Sequence, residues 1–468
     1  MTQYYLAIDI GASNGRHMLG WLNQGKFELE EIYRFENRMT YKNGHLCWDV
    51  KKLFQEILNG LKKCAEFGKI PKFMGIDTWA VDFVLLDEDD KIIGDAVGYR
   101  DNRTAQMDAL VYEQISLPDL YKRTGIQKLS FNTIYQLMAV KTKFPKQLEC
   151  AKSMLMIPEY FNFLLTGKKM AEYTNATSTQ LVNVHSNDWD FELIEKLGFQ
   201  TEIFGDLFAP GTSVGSFTDE IQKEVGFDCE VILPTTHDTA SAVVAVPSND
   251  DDVLYLSSGT WSLMGIERLK ADCSQESMFY NFTNEGGYDY RYRYLKNIMG
   301  LWMIQSLKKE LDDKYSFAQL CEMANVQTIS SIVDCQDERF LAPSSMIRAI
   351  QNYCEENNIQ VPETPAELAT VIYNSLAECY AKTVVEIEKM TGKSYPAINI
   401  IGGGANADYL NMITAKRTKK NVYAGPAEAT AIGNITVQML ATGEFSDLKE
   451  ARKCIYDSFE IKYYKGVV

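Results

Sequence analysis

The sequence predicts an α/β protein made of two similar halves, and three observations carry that reading. Apolar patterns near the N-terminus run in the order strand, strand, strand, helix, strand. The stretch LAIDIGASNGRHMLG (residues 6–20) sets a glycine-bounded polar turn between two apolar runs, and VLYLSSGTWSLMG (253–265) does so again. At 468 residues the chain is also too long for one ordinary core, so two or three domains are expected.

Taken in order, residues 4–10, 17–22 and FELEEIYRFEN (27–37) read as an antiparallel meander. Helical spacing follows, with Val50, Leu53, Phe54, Ile57, Leu58 and Leu61 on one face. KFMGIDTWAVDFVLLD returns to strand, and helical patterns dominate from about 101 to 205. A turn-rich connection (196–217) leads into the strand CEVILPTT and a helix at 240–246. The proline and acid run of AVVAVPSNDDDV marks a boundary near 246, dividing 1–245 from 246–468. The second half is expected to hold helices at 297–325 and 364–391, the strand YPAINIIGGG, a helix from about 406, and a helix of small residues at AGPAEATAIGN. Repeats of this length suit two similar domains facing across a cleft better than a solenoid.

Charge and composition exclude several functions. Lys and Arg number 47 against 63 Asp and Glu, a net charge of −16, and no cluster of five or more basic residues occurs. Nucleic acid is therefore not an expected partner. No apolar run reaches membrane-spanning length and no basic segment precedes an apolar one at the N-terminus, so the expected location is the cytoplasm, as monomer or homodimer. The ten cysteines lie scattered without a C-x-x-C pair, and the four histidines are far apart, which favours reduced thiols over disulfides or zinc.

The two turns, GASNGR (11–16) and SSGT (257–260), suit a polyphosphate: glycine turns cluster backbone amides, and hydroxyls and an arginine add donors. Neither is a Walker A loop, because each joins two strands. One such turn alone reads as an ordinary hairpin; two in corresponding places favour phosphate. Asp9, inside an apolar strand, needs a partner or a cation, and a Mg2+ bridged by water is the natural candidate. IIGGGANA (400–407) matches a dinucleotide signature, with Glu428 about twenty residues on, yet only 61 residues follow Ala407, too few for the rest of that fold. Its glycines serve either a flat-lying nucleotide or close strand–helix packing.

Asp238, between a strand and a helix, reads either as an N-cap or as a catalytic carboxylate, with Thr235, Thr236, His237 and Thr239 crowding hydrogen-bonding groups around it. His237 is the alternative base, though a hydrogen-bonding role suits it better. Asp77 and Asp82 fit either sugar hydroxyls or the protection of an edge strand. YRDNRT (99–104) reads as a structural ion-pair turn.

The motifs AIDIGASNGR, GIDTWAVDFVLLD, YRDNRT, HDTASAV, SSGTWSLMG, NIMGLWMIQ and GGGANADYLN, in that order across nearly the whole chain, closely resemble those of the FGGY carbohydrate kinases. The resemblance implies two actin-like, ribonuclease-H-type domains, ATP with Mg2+ in an interdomain cleft, and phosphorylation of a sugar hydroxyl. It is strongest to members acting on L-rhamnulose, with L-fuculose or L-xylulose as alternative acceptors. By matching motif, Ala12, Ser13, Asn14, Gly15, Arg16 and Thr260 would contact ATP, with Gln305 and Gly403 nearer the nucleoside. The sugar would meet Ala80, Asp82, His237, Thr239 and Asn297, and Asp238 would accept the hydroxyl proton. Ala80 stands where those members usually have glycine (T-W-G-V-D), and if that backbone touches the sugar its methyl narrows the pocket. Two other classes remain open: a dehydrogenase, which would bind NADH, and a non-catalytic actin-like ATP-binding protein, which would hydrolyse ATP slowly and regardless of sugar.

Overall fold

The computed structural model describes residues 2–250 and 253–466, so Asp251 and Asp252 of the expected boundary lie outside the described residues. The chain forms two compact units. The first comprises Met1–Ala245, Glu267–Tyr294 and Thr430–Ser458; the second comprises Val246–Ile266, Leu295–Ala429 and Phe459–Val468.

In the first unit, β1 (Tyr5–Ile10), β2 (Asn14–Asn23) and β3 (Lys26–Glu36) form the expected antiparallel meander. With β4 (Phe73–Thr78), β5 (Ser213–Ser216) and β6 (Glu230–Ile232) they make a sheet ordered β5-β6-β4-β1-β2-β3. β4 runs parallel to β1, and β6 parallel to β4. Strands covered on both faces can be apolar throughout, and every residue of β1 and of β4 is buried. Between β3 and β4 lies α1 (Val50–Glu66), started by the Asp49 carboxylate accepting from the Lys52 amide. Its expected face packs on the sheet with Leu53, Ile57 and Leu61 almost fully buried, each contributing about 1.5–3 kcal/mol. α2 (Asp238–Val244) follows β6.

The second unit repeats this plan. β7 (Leu254–Ser258) and β8 (Trp261–Arg268) are antiparallel, and β9 (Tyr292–Met299) completes a meander. β10 (Ala397–Ile401) runs parallel to β7 and β11 (Asn421–Ala424) parallel to β10, with β12 (Lys462–Tyr464) antiparallel at the edge. The order β9-β8-β7-β10-β11 mirrors β3-β2-β1-β4-β6 of the first unit. Helices α3 (Trp302–Glu310), α4 (Pro365–Thr391) and α5 (Asp408–Thr418) belong to it, and α6 (Ala429–Ala441) leads back into the first unit.

Three expectations are corrected. The stretch 72–87 is not one strand: it breaks at Trp79–Asp82, and Phe83–Leu86 pairs instead with Ser153–Met156 in a separate small sheet. Val81 causes the break, with φ of 67°, a left-handed conformation costly for a β-branched residue. Asp77 does not protect an edge, because β4 is an inner strand of six. Asn297 sits in a strand, where pairing with β8 overrides the helical pattern read from 297 onward. All ten cysteines are free thiols, and among the described residues no helix is long and apolar enough to cross a membrane.

Candidate active site

The register of the first sheet gathers carboxylates. Asp9 pairs across β1/β2 with Arg16 and across β1/β4 with Asp77. The partner that a buried Asp9 requires is Arg16, whose Nη2 donates to Asp9 Oδ2 at 2.6 Å. Asp77 is fully buried; Asn434 Nδ2 donates to its Oδ2 at 2.5 Å, and its Oδ1 has no hydrogen-bond partner among the described residues. Burial, reinforced by the neighbouring Asp9, pushes the Asp77 carboxyl well up.

Asp238 reaches the same neighbourhood because the chain after β6 continues along β4. Thr78 N donates to Thr236 O at 3.0 Å, and Thr78 bridges His237 in parallel. His237 is the residue preceding α2, and Asp238 is the first residue within it, so the N-cap reading of Asp238 does not hold. Among the described residues its carboxylate accepts only from the adjacent Thr239 amide, at 2.6 Å. The side chain keeps 27% of its surface open, enough for a ligand to reach. Close protein packing around the rest, followed by the charge of Asp9, pushes its carboxyl up to about 7.

A residue with no obvious signal in the sequence holds this loop. The buried Glu172 carboxylate accepts from Thr236 N (3.0 Å) and Thr236 Oγ1 (2.8 Å), and also from Thr174 N, Thr174 Oγ1 and Asn175 N. Behind it, Glu159 accepts from the Glu172 and Met156 amides, both at 2.8 Å. Burial pushes the Glu159 carboxyl up to about 8.

His237 is buried against a second unforeseen pair, Arg293 and Glu285. Arg293 Nη2 lies 3.1 Å from His237 Nδ1 and donates to Glu285 Oε2 at 2.9 Å, while Nη1 donates to Thr239 Oγ1 at 2.8 Å. Burial, then the guanidinium, pushes the imidazole well below its ordinary value. His237 is therefore neutral and only weakly basic, and with Arg293 at Nδ1 and Thr239 at Nε2 it is suited to hydrogen bonding rather than to proton abstraction. Their best signal was a buried arginine and glutamate on neighbouring segments, which sequence spacing does not reveal.

Ala80 is half-buried in the loop that Val81 distorts. Asp82, expected to meet substrate, is buried and accepts at Oδ2 from Trp48 Nε1, Trp79 Nε1 and the Tyr99 amide, and at Oδ1 from Gln136 Nε2. Four protein donors leave it to shape the loop around Ala80 instead of binding a hydroxyl. In YRDNRT, Asp101 accepts from the Leu46 and Arg103 amides and lies 3.0 Å from His45 Nδ1, which makes this a structural turn.

Both candidate phosphate turns have their carbonyls tied from behind. In the first, Asn37 Nδ2 donates to Gly11 O (2.9 Å) and Asn37 N to Ser13 O (3.0 Å). In the second, Leu301 N donates to Gly259 O (2.9 Å) and Trp302 N to Thr260 O (3.1 Å). Ala12 and Ser13 lie in the first turn itself, Asn14, Gly15 and Arg16 open β2, which pairs with β1 and β3, and Thr260 lies in the turn between β7 and β8. Close glycines brace the second turn: a Cβ on Gly404 would sit 1.9 Å from Ser258 Oγ, and one on Gly300 2.5 Å from Trp261 C. A Cβ on Gly403 would meet nothing within 4 Å, so that backbone is open to a flat ligand. Gln305 lies on α3 and Asn297 on β9, both half-buried in the second unit.

These features fit ATP with Mg2+. Among the described residues no three His, Cys, Asp or Glu side chains are grouped to hold a metal. A Mg2+ would lean on Asp9, beside the unpartnered Asp77 Oδ1, with water and phosphate oxygens completing its shell, the usual ligand set for this ion.

Comparison with known proteins identifies the family and the fold. The profile of the FGGY family of carbohydrate kinases, N-terminal domain, matches residues 4–245, and that of the C-terminal domain matches 254–442. A protein of Halalkalibacterium halodurans named rhamnulokinase is 55% identical over 98% of both chains. Its namesake from Oceanobacillus iheyensis is 50% identical over 100% of this chain and 99% of its own, and that of Bacillus subtilis 43% identical over 98% and 95%. Gluconate kinase from Lactobacillus acidophilus superposes with a TM-score of 0.81 at 18% identity, covering 100% of this chain and 94% of its own, which shows the shared fold of two actin-like, ribonuclease-H-type α/β units. Matched along both halves and by full-length relatives, the chain belongs to the FGGY family of carbohydrate kinases.

Proposed function

We propose that the chain transfers the terminal phosphoryl group of ATP to O1 of L-rhamnulose, giving L-rhamnulose 1-phosphate and ADP in the cytoplasm. The observation that carries the chemistry is Asp238, an accessible carboxylate at the start of α2 with its pKa pushed up to about 7. The full-length relatives named rhamnulokinase support the acceptor.

A base with a pKa near the working pH is about half unprotonated and still basic enough to take a proton from an alcohol. As O1 bonds to the γ-phosphorus, the bond to the β,γ-bridging oxygen breaks, ADP leaves, and the O1 proton passes to Asp238. His237, Thr239, Asn297 and the backbone at Ala80 orient the sugar. The first turn and strand start, Ala12–Arg16, and Thr260 hold the phosphates, and Gln305 and Gly403 the nucleoside side. Arg16 meets the charge developing on the transferred group. When bound, Mg2+ neutralises phosphate charge, held through water by Asp9. In this assignment residues 1–245 carry the sugar site and the first turn, and 246–468 the ATP site; Arg293 and Glu285 join the sugar site from the segment that packs into the first unit.

An ADP-release assay with L-rhamnulose, L-fuculose, L-xylulose and glycerol tests the reading. The highest kcat/KM is expected for L-rhamnulose. A higher value for another acceptor overturns the sugar assignment alone; ADP release indifferent to every sugar overturns the proposed reaction.

A further inference from the structure

Arg293 heads the largest fully buried side chains, at 1% exposure, and all of its contacts are donations. Nε donates to Gly286 O (2.9 Å), Nη1 to Thr239 Oγ1 (2.8 Å) and Nη2 to Glu285 Oε2 (2.9 Å), with Nη2 also 3.1 Å from His237 Nδ1. A guanidinium has no acceptor and stays charged. His237 Nδ1 must therefore accept, which leaves the single proton of the neutral ring on Nε2, 3.1 Å from Thr239 Oγ1. The other arrangement, Nδ1–H toward Glu285 Oε2 at 3.4 Å, would set two donors head-on.

The consequence falls on Thr239. Its oxygen accepts from Arg293 on one side and from His237 on the other, which occupies both lone-pair directions and leaves the hydroxyl proton to be donated away from them. Thr239 is half-buried, within reach of a ligand. We propose that Arg293 is a specificity-determining residue: through the Nε2–H tautomer of His237 it commits the Thr239 hydroxyl to donating, so that the pocket selects a ligand that presents an accepting oxygen there. This rests on the sugar-kinase reading for the identity of the ligand, a ketose oxygen, but not for the tautomer. The charged groups facing the His237 ring are Arg293, Glu285 at 3.4 Å from Nδ1 and Asp238 at 3.6 Å from Nε2. Burial and the guanidinium together keep the ring neutral against the pull of the two carboxylates.

Two measurements on the full chain test the proposal. In long-range 1H–15N spectra of protein labelled at its four histidines, with the His237 signal assigned by its loss in His237→Gln, the ring should show bare Nδ1 and protonated Nε2 from about pH 6 to 8. An Nδ1–H tautomer or an imidazolium in that range overturns the proposal, whether or not the enzyme turns over any sugar. In kinetics, Thr239→Val should raise the ketose KM by about tenfold or more with the ATP KM unchanged, and Thr239→Ser, which keeps the hydroxyl, should restore it to within about threefold. Unaltered ketose KM in Thr239→Val, or no rescue by serine, contradicts the donor role; loss of phosphoryl transfer to every ketose by the wild type, with the tautomer as described, refutes only the substrate assignment.

Discussion

The two units share a strand order but differ in what they place at the first turn. At β1–β2 the turn sits beside buried charge: Asp9 with Arg16, Asp77 in register alongside, and Asp238 close enough to feel Asp9. At β7–β8 the corresponding positions are Ser257, Ser258 and Thr260, neutral groups braced by Gly300 and Gly404. One topology thus supports two tasks. Where carboxylates are desolvated, a proton can be moved; where hydroxyls and amides line a glycine-packed turn, a polyphosphate can be gripped.

The comparison breaks most visibly at Asp238. Asp238→Asn should lower kcat by about two to four decades with both substrates still binding. Its effect on stability has the opposite sign. Folding raises this carboxyl from the ordinary carboxylate range to about 7, so the unfolded chain ionises first and the native state loses stability as pH rises between those values. Asparagine removes that cost, and the melting temperature at pH 8 should rise by a few degrees. A kcat near that of wild type would return Asp238 to a structural role.

On the other unit, Gly404→Ala should act on ATP. A methyl placed against Ser258 must shift the turn, and overpacking of about 1–3 kcal/mol should raise the ATP KM about tenfold or more while the ketose KM moves little. Thr260→Ala, losing one phosphate donor, should show the same selectivity at about tenfold or less. Equal weakening of both substrates in either variant would erase the division of labour. Glu172→Gln tests the support of the base: the amide presents donors where Thr174, Asn175 and Thr236 also donate, so kcat should fall about tenfold with a lowered melting temperature and an unchanged ATP KM. The smallest effect is expected from Ala80→Gly, which enlarges the pocket by a methyl and should leave the preferred ketose unchanged.

What the sequence made legible follows from how local each feature is. The meander, the buried face of α1 and the repeat of the polar turn are written in neighbouring residues, and all are present. Asp238 stood out because hydroxyl residues surround it in sequence. Glu172 did not, since its key partner Thr236 lies 64 residues away, and Arg293 meets His237 across 56. Such pairs have no spacing signature. Asp82 misled for a related reason: a carboxylate in an apolar run signals burial with partners, but whether those are a ligand or Trp48, Trp79, Tyr99 and Gln136 depends on tertiary structure. The strand break at Trp79–Asp82 and the strand at Asn297 are likewise tertiary, imposed by the backbone of Val81 and by pairing with β8.

The most direct test of the central claim is the pH dependence of kcat/KM for L-rhamnulose at saturating ATP, from about pH 5.5 to 8.5. A base must be unprotonated to act, so with Asp238 pushed up to about 7 the value should climb as pH rises and level off above that point. The residual activity of Asp238→Asn should lack this limb. A profile flat across the range, or an acid limb that survives in Asp238→Asn, would contradict the assignment of Asp238 as the base.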